Sequence, residues 1–317
     1  MRKVFCSTIV PTIGRSSLPK AIQSVLNQSF DAADFEVIVV NDSGRPLPES
    51  DWRGSPQVRL IDTNRRERSV ARNAGAAMAK GKYLHFLDDD DILLPGALEA
   101  FWRLDGEGDG AAWLYGNYQT VGNSGNLIEE VAPGITGNVF ALLVAGESIP
   151  LQASFLNAEE FFTAGAFDPC ITGVEDRDLG RRIALRGKVA YTSARVAQIR
   201  IGQEGSSTQW SILAEDDRRA REKALSAERA FERLRQSAAS CYWRGRVSRA
   251  YLGSTVWNGR HGNILTAASR AAAGLVFGGW EVFSRDFFRG LRTEIDTWPR
   301  PESSGRQEVV LGFDGRS

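Results

Sequence analysis

Four consecutive acids, Asp88-Asp89-Asp90-Asp91, directly follow the apolar run Tyr83-Leu84-His85-Phe86-Leu87. Carboxylates set side by side repel one another, and they are costly to hold near a core unless something compensates them. A divalent cation would do so, because Mg²⁺ and Mn²⁺ prefer oxygen ligands, and a metal held by a few carboxylates can bind a diphosphate. The plainer alternative is a solvated strand-to-helix turn, with Asp91 capping the helix that follows. Two more acidic motifs stand far away in the chain: Asp42 within Asn41-Asp42-Ser43-Gly44, and the pair Glu175-Asp176. Carboxylates can serve a metal, a ribose or base edge, and a general base. The set suits transfer from a nucleotide-diphosphate donor, in which a metal neutralises the leaving diphosphate and a separate carboxylate activates an acceptor hydroxyl.

The elements that must position these groups alternate along the first half of the chain. Val4 to Val10 is a short β-branched run that predicts a strand, and Leu18, Ala21, Ile22, Val25 and Leu26 have helical spacing. Strands are expected over Phe35–Val40, Val58–Ile61 and Tyr83–Leu87, with a helix over Val70–Ala79 stopped at Gly81. Continuous apolar strands alternating with helices mean an α/β fold, a mostly parallel sheet covered on both faces. In such sheets ligands sit beyond the carboxyl ends of the strands. Pro11-Thr12, Asn41-Asp42 and Asp88–Asp91 all follow strands, so they are expected on one rim. Farther on, Ala111–Val121 predicts a strand, Gly122–Asn126 a hairpin turn, Ala153–Asn157 a short strand and Lys188–Thr192 a last strand. Glu175 opens a helix expected to run to Arg186.

The C-terminal part changes character. Ala220, Ala224, Ala227, Phe231, Leu234 and Ala238 form one apolar stripe, expected on a single long helix over 212–240 that packs in a hairpin. Ile264–Leu291 is a second amphipathic stretch, carrying Arg270, Arg285 and Arg289. It is a candidate for peripheral membrane contact or for a homodimer. The domain organisation expected is a catalytic domain over 1–208, a helical region over 209–298 and a disordered tail over 299–317.

Lys+Arg and Asp+Glu number 39 each among 317 residues, so the formal net charge is zero, which argues against a nucleic-acid partner. Cys6, Cys170 and Cys241 are odd in number and far apart, which makes neither a disulfide framework nor a zinc site and fits a reducing, cytoplasmic setting. Neither a signal peptide nor a membrane-spanning segment is expected. No dinucleotide-binding G-x-G-x-x-G follows the first strand, no P-loop is present, and His85 and His261 are too far apart to suggest a triad. His85, inside its strand, is expected to be a packed core residue.

Five motifs in order, Ile9-Val10-Pro11-Thr12, Val39-Val40-Asn41-Asp42-Ser43-Gly44, Ala71-Arg72-Asn73-Ala74-Gly75, Phe86-Leu87-Asp88-Asp89-Asp90-Asp91 and Glu175-Asp176-Arg177-Asp178-Leu179, resemble a family 2 glycosyltransferase of the GT-A fold. The resemblance covers roughly residues 3–205. It implies a GT-A-type, Rossmann-like sheet with an α-helical C-terminal appendage, and a metal-dependent, inverting transfer of a sugar from a nucleotide diphosphate, most typically a UDP-sugar, to a saccharide or lipid-linked acceptor in polysaccharide synthesis. By that resemblance Pro11 and Thr12 lie under the nucleoside, Asp42 accepts from the base, and Arg72 faces the nucleotide. Asp88 reaches the ribose or a metal-bound water, Asp89 fills the variable middle place, and Asp90 binds Mg²⁺ or Mn²⁺ directly. Asp176 is the implied general base, and Glu175 holds the acceptor sugar. The protein would act in the cytoplasm, at the inner face of the membrane if the helices bind there.

One departure stands out. Family members often carry a His after the last strand that helps hold the metal or diphosphate. Here the stretch reads Arg200-Ile201-Gly202-Gln203-Glu204-Gly205-Ser206, so Gln203, Glu204 or Ser206 would have to substitute. The competing functions are a sugar nucleotidyltransferase, for which Pro11-Thr12-Ile13-Gly14-Arg15 is a poor phosphate loop, and a non-catalytic scaffold that keeps the fold.

Overall fold

The β-branched run Cys6–Thr12 forms β1. Around it assemble β2 (Phe35–Asn41), β3 (Val58–Asp62) and β4 (Tyr83–Phe86), all parallel, in the order β3-β2-β1-β4. The computed structural model describes residues 4–31, 34–108, 110–202, 210–237 and 241–292, with 210–212 in backbone only. The sheet continues through β8 (Ser154–Asn157), β6 (Trp113–Val121), β9 (Val189–Arg200) and β5 (Ile92–Leu93). β8 runs antiparallel to β4 and β6, while β6 and β9 are parallel to each other, so the sheet is mixed but mostly parallel. β7 (Leu127–Val131) closes the expected hairpin with β6 across Gly122–Asn126.

Helices α1 (Leu18–Leu26) and α2 (Arg68–Met78) cover the parallel half. Residues Val37 to Val40 are fully buried because both faces of β2 are covered, which is why that strand reads as an unbroken apolar run. At Gly75 a Cβ would collide with the side chains of Ile9 and Val40, so only glycine lets α2 lie this close to the sheet. The later helices are α3 (Ala97–Glu107), α4 (Phe140–Val144), α5 (Ala158–Thr163) and α6 (Glu175–Arg186). The last strand exceeds the expected Lys188–Thr192: β9 runs on to Arg200 because its second half pairs with both β6 and β5.

The stripe expected on one helix falls on two. α7 (Trp210–Leu225) ends, and α8 (Ala230–Arg235) starts after a turn. The turn lets Arg233 donate to the carbonyls of Ala184 and Gly187 at the end of α6, at 3.2 and 2.5 Å, which a straight helix would not reach. Ala238 lies outside the described residues. The second amphipathic stretch is likewise broken into α10 (Ile264–Gly278), a 3₁₀ turn over Gly279–Phe283 and α11 (Arg285–Arg292). Between the two stretches lies α9 (Cys241–Arg260), with α10 and α11 packed along it.

The C-terminal helices share the core of the sheet-bearing half. One apolar cluster joins Ile9 and Phe86 to Trp113, Phe140 and Leu179, and on to Trp243, Tyr251 and Phe277. α4 sits at the centre of this join. Its five residues are buried, and the last-turn carbonyls, which a helix cannot satisfy itself, accept from arginines of three other helices. Arg181 of α6 donates to Leu143 O at 3.0 Å, Arg221 of α7 to Val144 O at 3.1 Å, and Arg246 of α9 to Ala145 O at 2.8 Å.

Candidate active site

Strand register brings the acidic motifs to one rim. Thr12 is paired with Asn41, and Asn41 with Asp62; Ile9 is paired with Phe86, with Leu87 N–H donating to Ile9 O at 3.0 Å. The chain therefore leaves β1, β2 and β4 at nearly the same level. Pro11 and Thr12 end β1, Asp42 follows β2, and Asp88 follows Leu87 after β4. Asp42 N–H donates to Thr12 O at 2.8 Å, which ties the first two motifs directly.

Arg72 is the hub. It is only 3% exposed, on the sheet-facing side of α2. Its Nη2 donates to Asp88 Oδ1 at 2.8 Å and its Nη1 to Glu175 Oε1 at 2.9 Å. The sequence separates Asp88 from Glu175 by more than eighty residues, and one guanidinium joins them. Arg68, one turn earlier on α2, adds a contact to Glu175 Oε1 at 3.3 Å. Gln152, in the 3₁₀ turn Leu151–Ala153, donates to the other Asp88 oxygen at 2.9 Å. Burial works against the Asp88 charge, but the Arg72 and Arg68 guanidinium charges outweigh it and hold the carboxyl below the ordinary range. The Nε–H of Arg72 is buried with no acceptor among the described residues.

Asp89 turns the other way. It is buried, accepts from Thr12 Oγ1 at 2.5 Å, and pairs with Arg15 Nη1 at 2.7 Å. Thr12 Oγ1 in turn accepts from Gly14 N–H at 2.9 Å, with Gly14 at φ 87°, a turn conformation that favours glycine. The middle acid thus pins the loop after β1. Asp90 is half-buried with a longer contact to Arg15 at 3.4 Å. Burial, then the charges of Asp88 and Asp89, push its carboxyl up, while Arg15 pulls the other way.

Asp91 is not a helix cap. α3 begins at Ala97 after Gly96, and Asp91 Oδ1 instead accepts from Arg200 N–H at 2.7 Å, closing the end of β9 onto the rim. The reason is the two-residue strand β5, which intervenes before α3 and pairs with β9. Burial and then the Asp88 charge raise the Asp91 carboxyl well above its ordinary value.

Asp42 is buried and organises the loop between β3 and α2. Its Oδ1 accepts from Thr63 Oγ1 at 2.8 Å and Arg65 N–H at 2.7 Å, and its Oδ2 from Glu67 N–H at 2.6 Å. A carboxylate offers about four acceptor sites, so one remains on Oδ2. Asn64 and Arg66 take left-handed backbone, at φ 56° and 53°, which these three bonds help to hold. Glu67 then caps α2, accepting from Ser69 and Val70 N–H at 2.9 and 2.7 Å.

Glu175 and Asp176 open α6, where the helix dipole favours acids. Glu175 is buried against Arg72. Asp176 is half-buried, with Oδ1 accepting from Arg177 N–H at 2.8 Å. Burial and the neighbouring Glu175 charge raise the Asp176 carboxyl above its ordinary value. Asp178 is a stabilising charge: it is buried and accepts from Arg182 Nε at 2.9 Å. The loop leading to this helix is clipped to α2 by Asn73, which donates to Phe167 O at 2.8 Å and accepts from Phe167 N–H at 3.0 Å. From the other side Asp216 of α7 accepts from Thr172 Oγ1 at 3.0 Å.

His85 is the packed core residue expected, fully buried between Thr8 Oγ1 at 3.2 Å and Gln152 O at 3.1 Å, and burial lowers its pKa to about 4. Sequence reasoning missed Arg15 as a partner of the acids, Arg68 and Gln152. A basic residue four before Arg72 on the same helix was a usable signal for Arg68; nothing around Gln152 marks it. Gln203, Glu204 and Ser206 lie outside the described residues.

Among the described residues no group of three His, Cys, Asp or Glu side chains could hold a metal ion alone. The donor set fits an ion with a small protein share. Asp90 is half-buried among like charges, with Asp88 beside it, and Mg²⁺ commonly binds through one or two carboxylates plus substrate phosphates and water.

Residues 7–127 match the family model described as glycosyl transferase family 2. The chain is 34% identical over 128 residues to the poly(ribitol-phosphate) beta-N-acetylglucosaminyltransferase TarP of Staphylococcus aureus, covering 38% of each chain. It is also 34% identical over 131 residues to the GalNAc(5)-diNAcBac-PP-undecaprenol beta-1,3-glucosyltransferase of Campylobacter jejuni, covering 39% of this chain and 41% of that one. The chain thus spans about two fifths of the length of these curated relatives. In fold it resembles S. aureus TarS 1–349 in complex with UDP-GlcNAc, with a TM-score of 0.61 at 15% identity over 85% of this chain and 91% of that one. The fold is GT-A, with the C-terminal helices in place.

Proposed function

We propose that the protein is a metal-dependent inverting glycosyltransferase, which moves a sugar from a nucleoside diphosphate to an acceptor hydroxyl in the synthesis of a cell-envelope or extracellular polysaccharide, in the cytoplasm. One observation carries this: Arg72 joins Asp88 of the donor rim to Glu175, the residue before Asp176. Donor-side and acceptor-side acids thereby form a single site. The TarP name and the UDP-GlcNAc in the TarS complex favour a UDP-sugar as donor; the acceptor is a saccharide or a lipid-linked one.

In this proposal the nucleoside lies over Pro11 and Thr12, its base donating to the remaining acceptor site of Asp42. Asp88, ionised by Arg72, meets the ribose or a bound water. A divalent cation at Asp90, with Asp88 nearby, would supply neutralising charge to the diphosphate. Glu175 holds the acceptor. Asp176 takes the proton as the acceptor oxygen attacks the anomeric carbon from the side opposite the leaving group. That carbon–oxygen bond forms as the bond to the diphosphate breaks, the nucleoside diphosphate leaves with the electron pair, and the configuration inverts. A raised Asp176 pKa suits this, because a stronger base takes the proton more readily.

Calorimetric titration of UDP with Mg²⁺, with Mn²⁺ and with chelator tests the donor side. We expect binding about tenfold tighter with metal. If neither UDP nor GDP- or TDP-linked nucleotides bind more tightly with metal, the proposal fails.

A further inference from the structure

Every large apolar side chain on one side of α10 faces solvent. Ile264, Leu265, Ala268, Ala272, Leu275 and Val276 are all exposed, Leu265 at 88%. They fall within less than half a turn around the helix axis. The opposite side, with Ala267, Gly274 and Phe277, packs against α9. The outward face bears no charge: the one charged residue of α10, Arg270, is turned inward to Glu222 of α7 at 2.7 Å. The apolar face runs on into the 3₁₀ turn, where Trp280 is 89% and Phe283 79% exposed. Immediately beyond, Arg285, Phe288, Arg289 and Arg292 of α11 line a shallow pocket.

We infer that this face docks on a lipid surface carrying anionic headgroups, with α10 lying in the interface and the α11 arginines meeting phosphates. Exposed Trp and Phe beside arginines are the composition of an interfacial segment. Charge selects lipid over a second copy of this chain. A two-fold self-contact would set the same patch against itself and bring arginine toward arginine, whereas anionic headgroups complement it. Length selects docking over insertion. Fifteen residues reach about 22 Å, short of the roughly 30 Å hydrocarbon core. Among the described residues no helix is long and apolar enough to cross a membrane. The inference does not depend on glycosyl transfer, since docking is read without donor or acceptor.

Co-sedimentation of the full chain with vesicles tests it, using phosphatidylcholine alone and phosphatidylcholine with about 30 mole per cent phosphatidylglycerol. Binding should be at least tenfold stronger to the anionic vesicles and should weaken as salt is raised. Trp280→Ala with Phe283→Ala, and separately Arg285→Ala with Arg292→Ala, should each weaken binding roughly tenfold. These side chains are exposed, so circular dichroism and unfolding midpoints should stay as in the parent. Absent binding, equal binding to both vesicles, or a concentration-dependent dimer broken by Leu265→Asp would overturn the inference.

Discussion

Arg72 and Asp217 sit at the centres of two buried ionic clusters made of the same side-chain types with the signs exchanged. Around Arg72 one buried cation serves two anions, Asp88 and Glu175, with the more exposed Arg68 adding a longer contact to Glu175 at 3.3 Å. Around Asp217 one anion serves two cations, Arg181 at 2.8 Å and Arg221 at 2.6 Å. At Asp217 the surplus positive charge ends on fixed backbone: both arginines also donate to the last carbonyls of α4. Against the cost of burial they hold Asp217 far below the ordinary carboxylate range. At Arg72 the surplus negative charge has no such sink. The Asp88 side chain is 30% exposed and stands beside Asp89 and Asp90. The Asp217 cluster is a strut, complete in itself. The Arg72 cluster is short of positive charge on its open side, where a divalent cation would supply it.

The largest effect that would break this distinction is at Asp176. Asp176→Asn should lower kcat by roughly 10²- to 10⁴-fold and leave the UDP dissociation constant nearly unchanged, by single-turnover kinetics and calorimetry. Loss of UDP binding instead would move the base elsewhere. The same residue sets the pH profile. A general base must be ionised, so kcat/KM falls as pH drops through its pKa; because burial and Glu175 raise that pKa, the acid limb should lie above the ordinary carboxylate range. A rate that stays flat down into that range would exclude Asp176.

The strut should behave differently. Asp217→Ala leaves Arg181 and Arg221 buried without their anion and should cost about 3–5 kcal/mol in denaturant unfolding, with UDP affinity of the folded fraction unchanged. Asp90→Asn should do the reverse. It removes one of three crowded acids, so the unfolding midpoint should hold or rise, while the roughly tenfold tightening of UDP by Mg²⁺ disappears. The smallest change is expected from Asp91→Asn, whose amide oxygen can still accept from Arg200 N–H. Its unfolding free energy should stay within about 1 kcal/mol of the parent.

The fold's first half was legible because both faces of the parallel strands are buried, so Phe35–Val40 and Tyr83–Leu87 announce themselves as apolar runs, and Gly81 and Gly187 mark where helices stop. The rim followed from strand polarity alone. What stayed hidden depends on partners distant in sequence. Asp91 looked like a cap because the pairing of β5 with β9 cannot be read locally. α9 left no stripe, since it buries Gly245, Arg246, Ser248 and Asn258 among its apolar residues, and Gly245 is needed where the α11 backbone comes close. The Gln152 side chain finds its partner in a carboxylate sixty-four positions away.

Asn73 makes the residue after Arg72 a mechanical joint. Its two bonds to the backbone of Phe167 fasten the segment leading into Glu175 and Asp176 to the helix that carries Arg72. If the protein acts as proposed, its acceptor side cannot be exchanged as a free cassette: a transplanted segment containing Phe167 would need a backbone that meets Asn73 at the same place. The joint therefore sets a seam along which this fold could be recombined, and it lies between two adjacent side chains of a single helix.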